Sequence, residues 1–211
     1  WYMVKSGLYD APMVSPLRLM MHLGMAFLIF SLLLWQALKL AFPMPAEARD
    51  TGCKILVVAI YIQVLLGALV AGLDAGLVYN TFPTMNGQWV PDGLLAMEPA
   101  MQNFYANPTT VQFIHRMGAL AVTAAVLWVV FKTPAEFIAN WALNLRYSLL
   151  GLLFIQIALG IYTVLYSVPI ALASAHQAVA LVLLANAVAL LYATRRQAST
   201  AQTAFRAQLI G

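Results

Sequence analysis

YSLLGLLFIQIALGIYTVLYSVPIALASAHQAVALVLLANAVALLYA, residues 147–193, is an unbroken apolar mass about twice as long as one membrane crossing. A bilayer core ~30 Å thick takes roughly 20 helical residues. Only Tyr166 and Ser167 separate the two halves of the mass, and Pro169 stands near the start of the second. The stretch therefore resolves into spans at 147–165 and 168–193, joined as a tight antiparallel helical hairpin. Applied outward, the same criterion gives further spans at 17–40, 55–73 and 111–131. The expected fold is an all-α integral membrane bundle with five transmembrane helices in this chain.

Composition points the same way. Hydrophobic residues make up 63% of the chain, charged residues 9%, and the mean hydropathy is +0.84. A soluble domain carries about 25% charged residues. Eight of the eleven Lys and Arg fall in stretches that alternate with the spans: Lys39, Arg49 and Lys54; Lys132 and Arg146; Arg195, Arg196 and Arg206. The connection 74–110 has the acids Asp74, Asp92 and Glu98 and no Lys or Arg. The basic stretches are therefore cytoplasmic, or on the equivalent side, and the long loop is outside. The net charge of +4 reports topology and does not imply nucleic acid as a partner. Cys53 is the single cysteine and has no partner for an intrachain disulfide. The chain begins at Trp1 beside what reads as an outer loop, so further helices are expected upstream.

The three histidines, His22, His115 and His176, stand in the first, third and fifth spans, all of which run from outside to inside. They lie five, four and eight residues into those spans, roughly 6 to 12 Å below the outer edge at ~1.5 Å per residue. A ligand-capable side chain in hydrocarbon is costly and is normally kept for a site. Two imidazoles from facing helices can clamp a heme iron with the macrocycle between them, and His115 with His176 is the natural pair. Each could instead be a hydrogen-bonded packing residue. Arg116 either holds a propionate through charge-assisted bonds or snorkels to the headgroups. Zinc would call for three or four clustered ligands, and no acid or Cys accompanies the histidines within the spans.

A short repeat adds order. YIQVLLG at Tyr61 to Gly67 resembles FIQIALG at Phe154 to Gly160, each on a helix that precedes a His-bearing one. SPLRLMMHLG, at 15–24, parallels VPIALASAHQA, at 168–178. The helix carrying His22 then reads as the last of an earlier four-helix half, related to the second half by an internal repeat. The domain reading is 1–50 as the end of an N-terminal half, 51–196 as a C-terminal four-helix half with the outer loop 74–110, and 197–211 as a cytoplasmic tail. The loop is either a lid over the site or an interfacial aromatic belt built on Tyr79, Phe82, Trp89, Phe104 and Tyr105.

GALVAGLDAGLVYNTFPTMNGQWVP at Gly67 to Pro91, VQFIHRMGA at Val111 to Ala119 and LGIYTVLYSVPIALASAHQ at Leu159 to Gln177 together resemble the heme A synthase family of bacteria and mitochondria. WYMVKSGL at the start matches its middle section. The resemblance covers the whole chain as the C-terminal two-thirds of an eight-helix protein. It implies that His115 and His176 are axial ligands of a heme b cofactor and that His22 faces the substrate, heme O, in the other half. The implied reaction is oxidation of a ring methyl of heme O to the formyl of heme A, in a bacterial plasma membrane or a mitochondrial inner membrane. It further implies the lipid bilayer and the heme O-producing enzyme as partners, an unnamed electron donor and a possible homo-oligomer, with the main catalytic group upstream of this chain. A bis-His membrane cytochrome b that carries electrons without modifying heme, and a proton-linked transporter, are the other readings.

Overall fold

The computed structural model describes residues 15–43, 50–133 and 138–194. Helix α1 (Pro16–Ala41) and helix α3 (Pro108–Lys132) each begin on a proline, whose fixed φ suits the first turn and whose missing N–H costs nothing there. Helix α2 (Thr51–Gly72) is capped by Asp50, whose carboxylate accepts from the Cys53 N–H at 2.9 Å. In the same way Asn107 caps α3 by accepting from the Thr110 N–H at 3.2 Å. Helices α4 (Leu145–Leu165) and α5 (Ile170–Ala193) complete a set of five, each long and apolar enough to cross a membrane. The chain is an all-helical, multi-pass membrane protein. Its opening WYMVKSGL and its tail 197–211 lie outside the described residues.

All five expected spans are present, extended by a few residues at most ends. Helix α5 starts two residues later than its sequence suggests, because the connection consumes Val168 and Pro169. Ser167 and Val168 adopt positive φ of 57° and 59°. The Val168 N–H reaches back to the Thr163 carbonyl at 2.7 Å and the Ser167 N–H to Val164 at 3.1 Å, closing α4 with a Schellman-like pattern.

Helices α2, α3, α4 and α5 form a square in chain order, each packed on its two neighbours, and α1 lies outside against α2 and α5. The diagonal pairs, α2 with α4 and α3 with α5, are not in substantial contact. The tightly packed part is the half of the bundle away from the connection 73–107: Leu56 and Ile60 of α2, Val126 of α3, Leu149 of α4 and Leu184 of α5 are all nearly inaccessible. Hydrocarbon is as apolar as these side chains, so their packing rests on close van der Waals fit and on polar ties between helices. Such ties run from the Tyr192 hydroxyl to the Phe42 carbonyl at 2.7 Å, from Tyr61 to the Gly24 carbonyl at 2.9 Å and from the Asn186 amide to Ser148 Oγ at 2.5 Å. Toward the end that carries the connection 73–107, the positions that line the square are only half-buried, and both bundle histidines lie at that level.

Candidate functional site

His115 on α3 and His176 on α5 occupy diagonal corners of the square. Each ring rests in a notch cut by the preceding helix. Gln63 and Gly67 of α2 stand four residues apart and share one helix face, and Gln156 and Gly160 of α4 repeat that spacing. A Cβ on Gly67 would lie 3.2 Å from Cε1 of His115, and one on Gly160 would lie 2.9 Å from Cε1 of His176. Glycine is what lets the imidazoles lie this close to the helix axis.

The hydrogen bonds differ between the two notches. The Gln63 amide nitrogen lies 3.1 Å from Nδ1 of His115 and donates to the His115 main-chain carbonyl at 2.9 Å. In the second notch, Nδ1 of His176 lies 3.1 Å from the Gln156 main-chain oxygen, and the Gln156 amide nitrogen lies 3.2 Å from Nε2. A carbonyl only accepts, so Nδ1 of His176 carries the hydrogen and Nε2 keeps its lone pair. That is the tautomer a metal-ligating histidine needs.

Arg116 turns toward the outer loop. Its Nη1 and Nη2 donate to the carbonyls of Thr84 at 3.3 Å and Tyr79 at 3.2 Å. Gln112, one turn earlier on α3, also donates to the Tyr79 carbonyl, at 3.1 Å. From the opposite side Asn80 donates to the Val164 carbonyl of α4 at 3.0 Å. The first part of the loop thus spans from α3 to α4. Its second part is held on α3 by Asn107, which donates to the Gly93 carbonyl at 3.0 Å and to Oδ1 of the buried Asn103 at 2.9 Å. Phe82, Trp89 and Phe104 remain exposed at 50%, 72% and 47%.

His22 is not brought into the paired site. It is exposed on α1, beside Met21 and Met25 on that helix's outward face. Among the described residues no group of three His, Cys, Asp or Glu gathers to hold a metal ion. Both histidines and the repeat around Gln63 and Gln156 stand out in the sequence, but no local feature there connects the glutamines to the rings. The identical Q-x-x-x-G spacing on the two helices was the available signal. For Asn80, Gln112 and Asn107 the sequence offered no comparable sign.

Fold and site together define a multi-pass helical membrane protein with two imidazoles set across the diagonal of its bundle. The chain belongs to the cytochrome oxidase assembly protein family, which matches residues 1–188. It is 44% identical to the heme A synthase of Nitrosospira multiformis over 207 residues, which are 93% of this chain and 57% of that protein. Against the heme A synthase of Wolbachia pipientis wMel the identity is 39% over 206 residues, 95% of this chain and 57% of the relative. Against Heme A synthase COX15 of Mus musculus it is 40% over 212 residues, 93% of this chain and 51% of the relative. The chain spans about half the length of the curated relatives it matches. No solved structure matches it.

Proposed function

We propose that this chain is the cofactor-holding part of a heme A synthase, an oxidoreductase that converts a ring methyl of its substrate heme O to the formyl of heme A. In this reading His115 and His176 would hold a heme b through their imidazoles, residues 51–196 would be its half of the protein, and His22 would belong to the substrate side. The observation that carries the reading is the pair of matched His, Gln and Gly notches on diagonal helices. The residues fit a bis-imidazole heme on three counts. The donor set is two neutral-capable imidazoles without a neighbouring acid; glycine opens space beside each ring; and Oε1 of both Gln63 and Gln156 is buried without a partner. Bound there, heme b supplies reversible one-electron transfer.

The chain's own groups account for the rest. The Gln156 carbonyl holds the ring N–H of His176 on Nδ1 and so keeps the lone pair on Nε2, where the Gln156 side-chain amide now lies 3.2 Å away. The inner half, closed by Leu56, Val126, Leu149 and Leu184, keeps water from the cytoplasmic side out of the site. Arg116 has five N–H donors, and its two bonds to the loop leave others for a propionate. His22 faces outward from α1, which places it toward whatever packs on that surface and separates it from the cofactor pair. The protein would work in a bacterial plasma membrane or mitochondrial inner membrane, receive heme O from the enzyme that makes it, and take electrons from a separate donor.

The test has two stages. Reduced-minus-oxidised spectra of the purified protein should show a low-spin b-type signal that His115→Ala and His176→Ala each abolish and His22→Ala keeps. The full-length protein should then convert heme O to heme A, and His22→Ala should lose that conversion while retaining the b-type signal. Bound heme with no conversion by the full-length wild type would favour the electron-carrier reading. A folded wild type that binds no heme would overturn the ligand assignment.

A further inference from the structure

The two notches share a spacing but hold their rings through different atoms, and that difference assigns work to the glutamines. We propose that Gln63 and Gln156 are positioning residues for the two axial imidazoles and that they act by separate routes. Gln63 sets the His115 ring through its side-chain amide, whereas Gln156 sets His176 through its main-chain carbonyl, which Gly160 uncovers. The proposal rests on the assignment of His115 and His176 as heme b ligands.

A helical carbonyl is ordinarily screened from neighbouring helices by the side chain four residues further on, because each Cβ leans back toward the helix N-terminus. Gly160 stands four residues after Gln156 and carries no Cβ, so the His176 ring reaches the Gln156 oxygen at 3.1 Å. That acceptor belongs to the main chain and survives any change of the side chain at 156. The Gln156 amide, 3.2 Å from Nε2 on the other edge of the ring, meets the atom that would bind iron and must withdraw when it does.

In the first notch Gly67 makes the same opening, but the structure gives Nδ1 of His115 the Gln63 side chain as partner. The Gln63 amide donates there and to the His115 carbonyl, which leaves the ring hydrogen on Nε2. Iron binding through Nε2 moves that hydrogen to Nδ1, which then requires an acceptor. Oε1 of Gln63, buried and unpartnered, is the nearby side-chain acceptor; a half-turn of the amide presents it to Nδ1, gives up the bond to the His115 carbonyl and requires Oε1 to shift clear of that oxygen. An acceptor on the distal ring N–H makes the imidazole a more basic ligand, which favours ferric over ferrous iron and lowers the midpoint potential.

The experiment uses the purified protein loaded with heme b and compares Gln63→Leu with Gln156→Leu by redox titration, ferric electron paramagnetic resonance and heme b retention. Gln63→Leu should keep a bis-imidazole spectrum, raise the midpoint potential and weaken heme b retention by about tenfold, the usual scale for losing such a partner. Gln156→Leu should leave the potential near that of the wild type. Gln63→Glu, which restores an acceptor, should bring the potential back to the wild-type value or below. If Gln63→Leu does not accumulate as folded protein, Gln63→Met keeps the volume without the acceptor and takes its place. A potential unchanged in the Gln63 variants overturns the proposal while leaving the ligand assignment intact. Equal shifts in the Gln63 and Gln156 variants overturn the division into two routes. A wild type without a low-spin spectrum overturns the ligand assignment and the proposal together.

Discussion

In the α4–α5 hairpin the chain turns within residues 166–169, and the imidazole of His176 is held by a main-chain carbonyl. In the α2–α3 hairpin residues 73–107 intervene, and the imidazole of His115 is held by a side-chain amide. A turn of a few residues fixes the register of one helix against the next, so an acceptor built into the backbone is always in the right place. A long connection fixes no register. Alignment of α3 on α2 then falls to side chains: Gln63 beneath the ring, and Gln112 and Arg116 gripping the loop above it. The same Q-x-x-x-G device is thus rigid where the connection is short and side-chain dependent where it is long.

The largest expected effect treats both hairpins alike. His115→Ala or His176→Ala each removes one of the two proposed heme b ligands and should eliminate the low-spin spectrum; survival of the signal in either variant breaks the pairing of the two hairpins. The next effect should separate them. A methyl at Gly160 would come within 2.9 Å of the His176 ring and one at Gly67 within 3.2 Å of the His115 ring. Overpacking of this kind costs about 1–3 kcal/mol. Gly160→Ala also blocks the approach to the Gln156 carbonyl, so it should lower heme b retention and thermal stability more than Gly67→Ala. Retention measured on both variants checks the order; equal losses would show that the two rings are held alike, and the reverse order that the His115 notch is the less tolerant one.

Much of this arrangement was legible in residues alone. The five spans follow from the lengths of the apolar runs, which need no knowledge of packing. The start of α5 was less legible, because the turn takes Val168 into a left-handed conformation that a β-branched residue seldom adopts. The roles of Gln63 and Gln156 were visible only as a repeated heptapeptide, since a neutral amide on an apolar helix gives no sign of which neighbour it meets. Arg116 was read as facing a propionate or the headgroups. Its bonds to Tyr79 and Thr84 depend on a loop path that composition does not encode.

A smaller effect is expected at the strap between the hairpins. Asn80 donates to the Gly76 carbonyl at 2.9 Å and to the Val164 carbonyl of α4 at 3.0 Å, joining the long connection to the short hairpin. Polar ties in membrane proteins contribute about 0.6 kcal/mol on average. Asn80→Ala should therefore lower global stability only slightly and should act mainly on the loop, increasing cleavage within 75–107 by a protease added from the outer side. Unchanged cleavage would mean that Gln112 and Arg116 suffice to hold the strap, and that the long connection is anchored on α3 alone.

The last effect, comparable in size and opposite in sign, probes the short turn itself. Val168 at φ 59° pays for a left-handed backbone, a conformation costing a residue with a Cβ about 1–2 kcal/mol. Glycine adopts it freely, but it brings extra freedom to the unfolded chain and loses the contact of the Val168 side chain with Gly76. The conformational relief is the larger quantity, so Val168→Gly should raise stability by up to about 1 kcal/mol, read as a higher midpoint of thermal unfolding in detergent. The spectrum of bound heme b should not change, because the Gln156 carbonyl and the His176 ring lie two turns or more from the substitution along their helices. A lower midpoint would show that Val168 is kept for its grip on Gly76, which makes the outer loop a support for the short hairpin as well as for the long one.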